Sequence, residues 1–159
     1  MTVVIREFER EDAESLWDVF HSSIHGLACR DYSPEQLAAW APPQYDAALW
    51  LERMTKMQPL VAERDGCIVG YAGLRSDGYV DHFYVAAVAA RSGVGNALMQ
   101  RIHELAEVWH LMELHSEVSR TARGFFERRG FAVVAEQTVV VRGVELTNFR
   151  MRKLLAPQV

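Results

Sequence analysis

Cysteine is scarce in this chain of 159 residues: Cys29 and Cys67 are the only two. Neither stands in a spaced framework or a metal-binding pattern, so the sequence predicts reduced thiols, no structural disulfide and a cytoplasmic location. Proline is nearly as rare, with five in all, and nothing reads as a linker, a repeat or a low-complexity segment. Long hydrophobic runs are missing too. None approaches the roughly 18 apolar residues of a membrane span, and no apolar run follows a basic start, so no membrane role is expected. Basic residues do not outnumber acidic ones: 17 Lys and Arg stand against 21 Asp and Glu, a net charge of −4. That balance argues against a nucleic-acid partner, which usually needs a basic face. Arginine is nonetheless concentrated locally (Arg91, Arg101, Arg120, Arg123, Arg128, Arg129), so a local anion site is compatible with the acidic total.

What is present is a globular balance, half hydrophobic and 24% charged, enough for one domain over residues 1–159 with a substantial core. The most informative stretch covers residues 78–102. Tyr79, Val80, Phe83, Tyr84 and Val85 are of the kinds that strands favour. Arg91-Ser92-Gly93-Val94-Gly95 then predicts a close turn, because glycine carries no Cβ. Leu98, Ile102, Leu105 and Trp109 recur at helical spacing and predict one apolar face. A helix that begins at such a turn offers unpaired N–H groups and the positive end of its dipole, a place for a phosphate or pyrophosphate.

The other segments read in order. Residues 2–8 predict a first strand, followed by a helix through Ala13, Leu16, Phe20 and Ile24 that Asp12 is placed to cap. Ser33-Pro34-Glu35-Gln36 starts a second helix, which Pro42 and Pro43 end, and residues 47–57 predict a third. Residues 60–63 and 68–74 predict a hairpin around Arg64-Asp65-Gly66. Residues 113–118 predict a strand, 121–129 a helix closed by Gly130, and 131–141 with 144–154 a closing hairpin around Arg142-Gly143. Tight turns imply antiparallel pairing, whereas the strand–helix–strand passage over residues 79–118 implies one parallel pair with a right-handed crossover. The fold class is therefore mixed α/β (α+β), with a mostly antiparallel sheet and helices packed on it.

This order of elements resembles the GNAT superfamily of acyl-CoA-dependent N-acetyltransferases. The resemblance covers nearly the whole chain and is sharpest at two stretches. One is Tyr84-Val85 with Arg91-Ser92-Gly93-Val94-Gly95-Asn96-Ala97-Leu98; the other is Ala122-Arg123-Gly124-Phe125-Phe126-Glu127-Arg128-Arg129-Gly130-Phe131. The ending from Arg142 to Met151 is similar to a bacterial subgroup of that family. The resemblance implies a six- to seven-stranded sheet with helices on both faces, and acetyl-CoA as co-substrate with no metal. It implies pyrophosphate contacts from Arg91, Ser92, Gly93, Val94, Gly95 and Asn96. The pantetheine arm would lie against Phe83, Tyr84 and Val85, with Ser119, Ala122, Phe125 and Phe126 completing the cofactor channel. The Val85 N–H would polarise the thioester carbonyl.

Three positions depart from the family pattern. Ala90 stands where a Gln or Arg is usual, Ser119 where Asn is frequent, and Phe126 where many members carry the Tyr that protonates the leaving thiolate. Tyr84 or a water is then the alternative proton donor. Asp81 is the first candidate for the base that deprotonates the amine, because strand alternation puts it on the face of Val85. Glu117, His82 and His115 stand behind it. The family builds its acceptor pocket from the segment holding Trp17, Tyr32, Trp40, Tyr45 and Trp50, so Tyr32, Trp40, Asp81 and His82 are the candidate substrate contacts. The implied partner is a small-molecule amine, and the C-terminal hairpin offers an edge for a homodimer. Because Phe126 has no proton to give, a non-catalytic acyl-CoA-binding module is the alternative. His21 and His25 are spaced for a metal but lack a zinc motif. A dinucleotide-binding oxidoreductase is disfavoured by Leu98 at the third-glycine position and by the hairpins that precede the turn.

Overall fold

The computed structural model describes residues 2–156. Strand β1 (Val3–Glu7) leads through a short 3₁₀ turn into helix α1 (Ala13–Leu27), followed by α2 (Pro34–Trp40) and α3 (Ala47–Met57). The α2 start is a capping box: Ser33 Oγ accepts from the Gln36 N–H at 3.2 Å, and the Gln36 side chain returns to the Ser33 N–H at 2.8 Å. Asp12 stands at the head of α1 but makes no side-chain cap there. Its buried carboxylate instead receives both terminal nitrogens of Arg6 at 2.8 Å and the Glu9 N–H at 2.7 Å. The expected cap is thus replaced by a charge-assisted clamp from β1, which holds Asp12 below the usual carboxylate range.

Strands β2 (Leu60–Arg64), β3 (Cys67–Leu74) and β4 (Val80–Val85) join β1 in an antiparallel sheet ordered β1-β2-β3-β4. After helix α4 (Val94–Val108), strand β5 (Glu113–Ser119) begins a second sheet. Helix α5 (Arg120–Arg128) and the hairpin of β6 (Ala132–Val141) and β7 (Val144–Leu154) complete it in the order β5-β7-β6. The seven strands therefore form two sheets, and the predicted parallel pair is reduced to one bridge, Tyr79 with His115. The His115 N–H donates to the Gly78 carbonyl at 3.0 Å and Ser116 Oγ to the Val80 carbonyl at 2.8 Å. Beyond those bonds β4 and β5 diverge and open a wedge between the sheets.

Helices cover both faces. α1, α2 and α3 pack on one side around Leu16, Phe20, Ile24, Trp50 and Met54. The Trp50 indole N–H ties α3 to α1 by donating to the Ala13 carbonyl at 2.8 Å. α4 covers the other side, burying Val94, Leu98, Met99, Ile102 and Ala106. Truncating Leu98, fully buried, to alanine removes about 2–5 kcal/mol of stability. The predicted α4 stripe is right at Leu98 and Ile102 but not at Trp109, which lies past the last turn and is exposed.

A bulge in β4 shapes the wedge. Ala72 faces Phe83 and Gly73 faces Asp81, so His82 is the extra residue, in the left-handed region at φ 54°. Gly73 has to be glycine there: a Cβ would stand 2.6 Å from the Asp81 carbonyl oxygen and 2.8 Å from Met57. The bulge also breaks strand alternation. Asp81 therefore does not share the face of Val85, contrary to the expectation from spacing alone, because one inserted residue exchanges the faces of everything beyond it.

Candidate active site

Where the wedge opens lies a cavity of about 440 Å³. Its floor is β4 and β5, and aromatic side chains of the first three helices wall one end. Asp81, His82, Phe83, Tyr84, Glu117, Ser119, Ala122, Phe126, Tyr32 and Trp40 all line it, so most of the residues singled out in the sequence converge.

The backbone supplies one side. The Ala86 N–H donates to the Val69 carbonyl at 2.8 Å, so by alternation the Val85 N–H faces the opposite edge, the one β5 has left. Downstream, Gly93 at φ 91° ends the turn, and the first helical bond of α4 runs from the Ala97 N–H to the Gly93 carbonyl at 3.0 Å. The N–H groups of Val94, Gly95 and Asn96 are therefore the unpaired donors of the helix start. Gly95 lies against the cavity wall: a Cβ would meet the Phe125 ring at 3.2 Å and Phe83 at 3.9 Å. Arg91 is exposed at φ 60° beside this turn. Ser92 Oγ accepts from Arg64 at 2.8 Å and donates to the Ala89 carbonyl, which braces the turn.

Side chains supply the other end. Phe20 stacks on His82 at 5.5 Å, and Tyr84 meets Phe20 edge-on at 4.9 Å. The His82 imidazole nitrogen Nδ1 sits 2.9 Å from the Tyr71 hydroxyl. Burial, helped by the charge of Arg53, pushes His82 down to about 3, so it is neutral and is no proton acceptor at physiological pH. Burial raises the Tyr84 phenol, against a hydrogen bond from Trp40. Tyr84 therefore keeps its proton. Asp81 and Glu117 both reach the cavity, and neither makes an ion pair among the described residues.

Several candidates are held by the fold itself. Tyr32 donates its hydroxyl to the Thr147 carbonyl at 2.5 Å and accepts the Arg120 N–H at 3.0 Å, a brace between the first helices and the second sheet. Ser119 Oγ caps α5 by accepting from the Ala122 N–H at 3.0 Å. Phe126 is buried among Phe83, Phe125 and Phe131. His115 lies at the closed end of the wedge, its ring 5.4 Å from Tyr79. Arg120 and Arg123 fold back over Tyr32 and Phe149. His21 and His25 stack at 4.2 Å, and His25 Nε2 donates to the Ala41 carbonyl at 2.7 Å.

Tyr79, Asn148 and Arg53 are among the cavity residues that escaped sequence reasoning. Tyr79 accepts a hydrogen bond from the Glu117 backbone, and burial raises its phenol. Asn148 presents a buried Oδ1 with no partner among the described residues. Arg53 follows Trp50 by three on α3, and that helical spacing was the signal that would have found it. Asn148 faces Ser119 across the β5–β7 ladder, a juxtaposition invisible in one dimension.

The model of the acetyltransferase (GNAT) domain family matches residues 28–153. The chain is 35% identical over 150 residues to the "Uncharacterized N-acetyltransferase YafP" of Escherichia coli K12, covering 94% of this chain and 95% of that protein. A GCN5-related N-acetyltransferase from Rhodopseudomonas palustris has the same fold at TM-score 0.92 and 32% identity, over 98% of this chain and 97% of that one. The PaiA N-acetyltransferase of Thermoplasma acidophilum, solved in complex with coenzyme A, matches at TM-score 0.77 over 98% and 100% of the two chains. At 22% identity that is a likeness of fold alone.

Proposed function

The chain belongs to the GNAT family of acyl-CoA-dependent N-acetyltransferases, and from that premise we propose that it acetylates a small-molecule primary amine in the cytoplasm, as one catalytic domain. The observation that carries this reading is the wedge. A strand edge with an outward N–H, a helix start with three unpaired donors and a cavity of about 440 Å³ are joined through Phe83, which lines the cavity, lies two residues from Val85 on β4 and would stand 3.9 Å from a Cβ at Gly95. The residues present suit acetyl-CoA. The donors of Val94, Gly95 and Asn96 match a pyrophosphate, and the orphaned Asn148 Oδ1 matches an amide N–H such as pantetheine carries.

The amine enters from the α3 end as an ammonium and loses a proton to Asp81, directly or through a water, with Glu117 as the second carboxylate. Its nitrogen attacks the thioester carbonyl carbon while the Val85 N–H receives the developing oxyanion. The C–S bond then breaks, coenzyme A leaves as thiolate, and the surplus proton on the new amide nitrogen passes to that sulfur, directly or through a water. A thiol of ordinary pKa near 8.5 makes that departure tolerable without strong acid catalysis, so Phe126 in place of a tyrosine is no obstacle. Tyr84 donates a hydrogen bond to the sulfur. Holding amine and thioester together lowers the barrier more than acid catalysis does, by up to roughly 7–11 kcal/mol.

The test is titration of the protein with acetyl-CoA by calorimetry, followed by thiol release with a panel of primary amines. Stoichiometric binding and amine-dependent release support the reading. Binding without release from any amine would leave a sensor, and no binding would remove the wedge as a cofactor site.

A further inference from the structure

The cavity holds one feature that amine acetylation alone does not require. Arg53 projects into it from α3 and makes no ion pair among the described residues. The other cation on its wall, Arg142, donates to the Ala39 carbonyl at 2.7 Å and so serves the fold. Asp81 and Glu117 face the same space, equally unpaired, and no ion pair forms between either of them and Arg53. Opposite charges thus stand apart across a cavity walled by Trp17, Phe20 and Trp50. With His82 neutral, two carboxylates and two guanidinium groups cancel. A ligand of zero net charge that carries both signs can pair with a carboxylate and with Arg53 at once, whereas a simple amine pairs only with a carboxylate and gains nothing from Arg53.

We propose, resting on the acetyltransferase reading, that the acceptor is a free amino acid with an apolar or aromatic side chain. Its carboxylate is held by Arg53, its nitrogen is at Asp81 and its side chain lies among the indole rings. A guanidinium suits a carboxylate because its planar donors meet both oxygens. The arrangement disfavours an internal lysine of a protein chain, whose amine carries no carboxylate near it.

The test measures thiol release at saturating acetyl-CoA for the free L-amino acids, their C-terminal amides and the matching decarboxylated amines. For the best amino acid, kcat/KM should exceed that of its amide and its amine by roughly ten- to a hundredfold. Arg53→Gln should bring both ratios close to one, and Arg53→Lys should restore part of them. Arg53 is exposed, and a thermal melt checks that each variant is folded. Amides accepted as well as acids, ratios that Arg53→Gln leaves intact, or acetyl-CoA bound with no amino acid accepted would each overturn the assignment of the acceptor. Loss of acetyl-CoA binding by the unaltered protein would instead overturn the acetyltransferase site beneath it.

Discussion

At the α4 end of the wedge the groups proposed to meet a ligand belong to the backbone, and at the α3 end they belong to side chains. The first set comprises the N–H groups of Val94, Gly95, Asn96 and Val85, aimed by a left-handed Gly93 and by the departure of β5. The second comprises Asp81, Arg53, Glu117 and Tyr84 among aromatic rings. Backbone donors depend on main-chain geometry and tolerate most substitutions except where a glycine is required. Side-chain groups change with every substitution. A scaffold built this way keeps one end constant for a common cofactor and leaves the other free to choose an acceptor.

The sharpest way to break that comparison is at the glycines. Gly93→Val forces a β-branched residue to φ 91°, and Gly95→Val drives a side chain into Phe125. Together they should weaken acetyl-CoA binding about 100-fold or more, roughly 3 kcal/mol by calorimetry, whatever the acceptor. Next, Asp81→Asn should lower kcat/KM at neutral pH by about 10²–10⁴-fold while acetyl-CoA affinity stays within a factor of about two. A pH–rate profile identical to that of the unaltered protein would remove Asp81 as the base. Tyr84→Phe should cost less, roughly tenfold in kcat, because a thiolate leaves without full protonation. A loss shared equally with acetyl-CoA affinity would mean that Tyr84 acts by packing.

The smallest effect concerns stability. His82 titrates at about 3 in the fold against 6.5 when unfolded, so below pH 6.5 the unfolded chain takes up a proton that the folded one refuses. Its contribution to stability is complete above pH 6.5 and is lost as pH falls from there toward 3. His82→Phe should flatten the fall of Tm between pH 7.5 and 5; parallel curves for the two proteins would show that His82 is readily protonated in place.

Local sequence was enough to place the elements and the turn. Periodicity located the helices that cover the sheets, Ser33-Pro34 announced the start of α2, and the glycines announced the close turn before α4. These are local properties, set within a few residues by sterics and hydrogen bonding, and they need no partner from elsewhere in the chain. Which residues meet was settled by packing in three dimensions. The bulge at His82 depends on Gly73 in a neighbouring strand and on Met57 from α3, so alternation failed at Asp81. Asp12, read as a cap, was claimed by Arg6 and by the Glu9 N–H behind it, which turn its carboxylate away from the first N–H groups of α1. Arg53, Tyr79 and Asn148 come from three separate parts of the chain and reach one cavity only because β4 and β5 part after a single bridge. Such meetings arise from contacts across tens of residues, and a linear pattern does not record them.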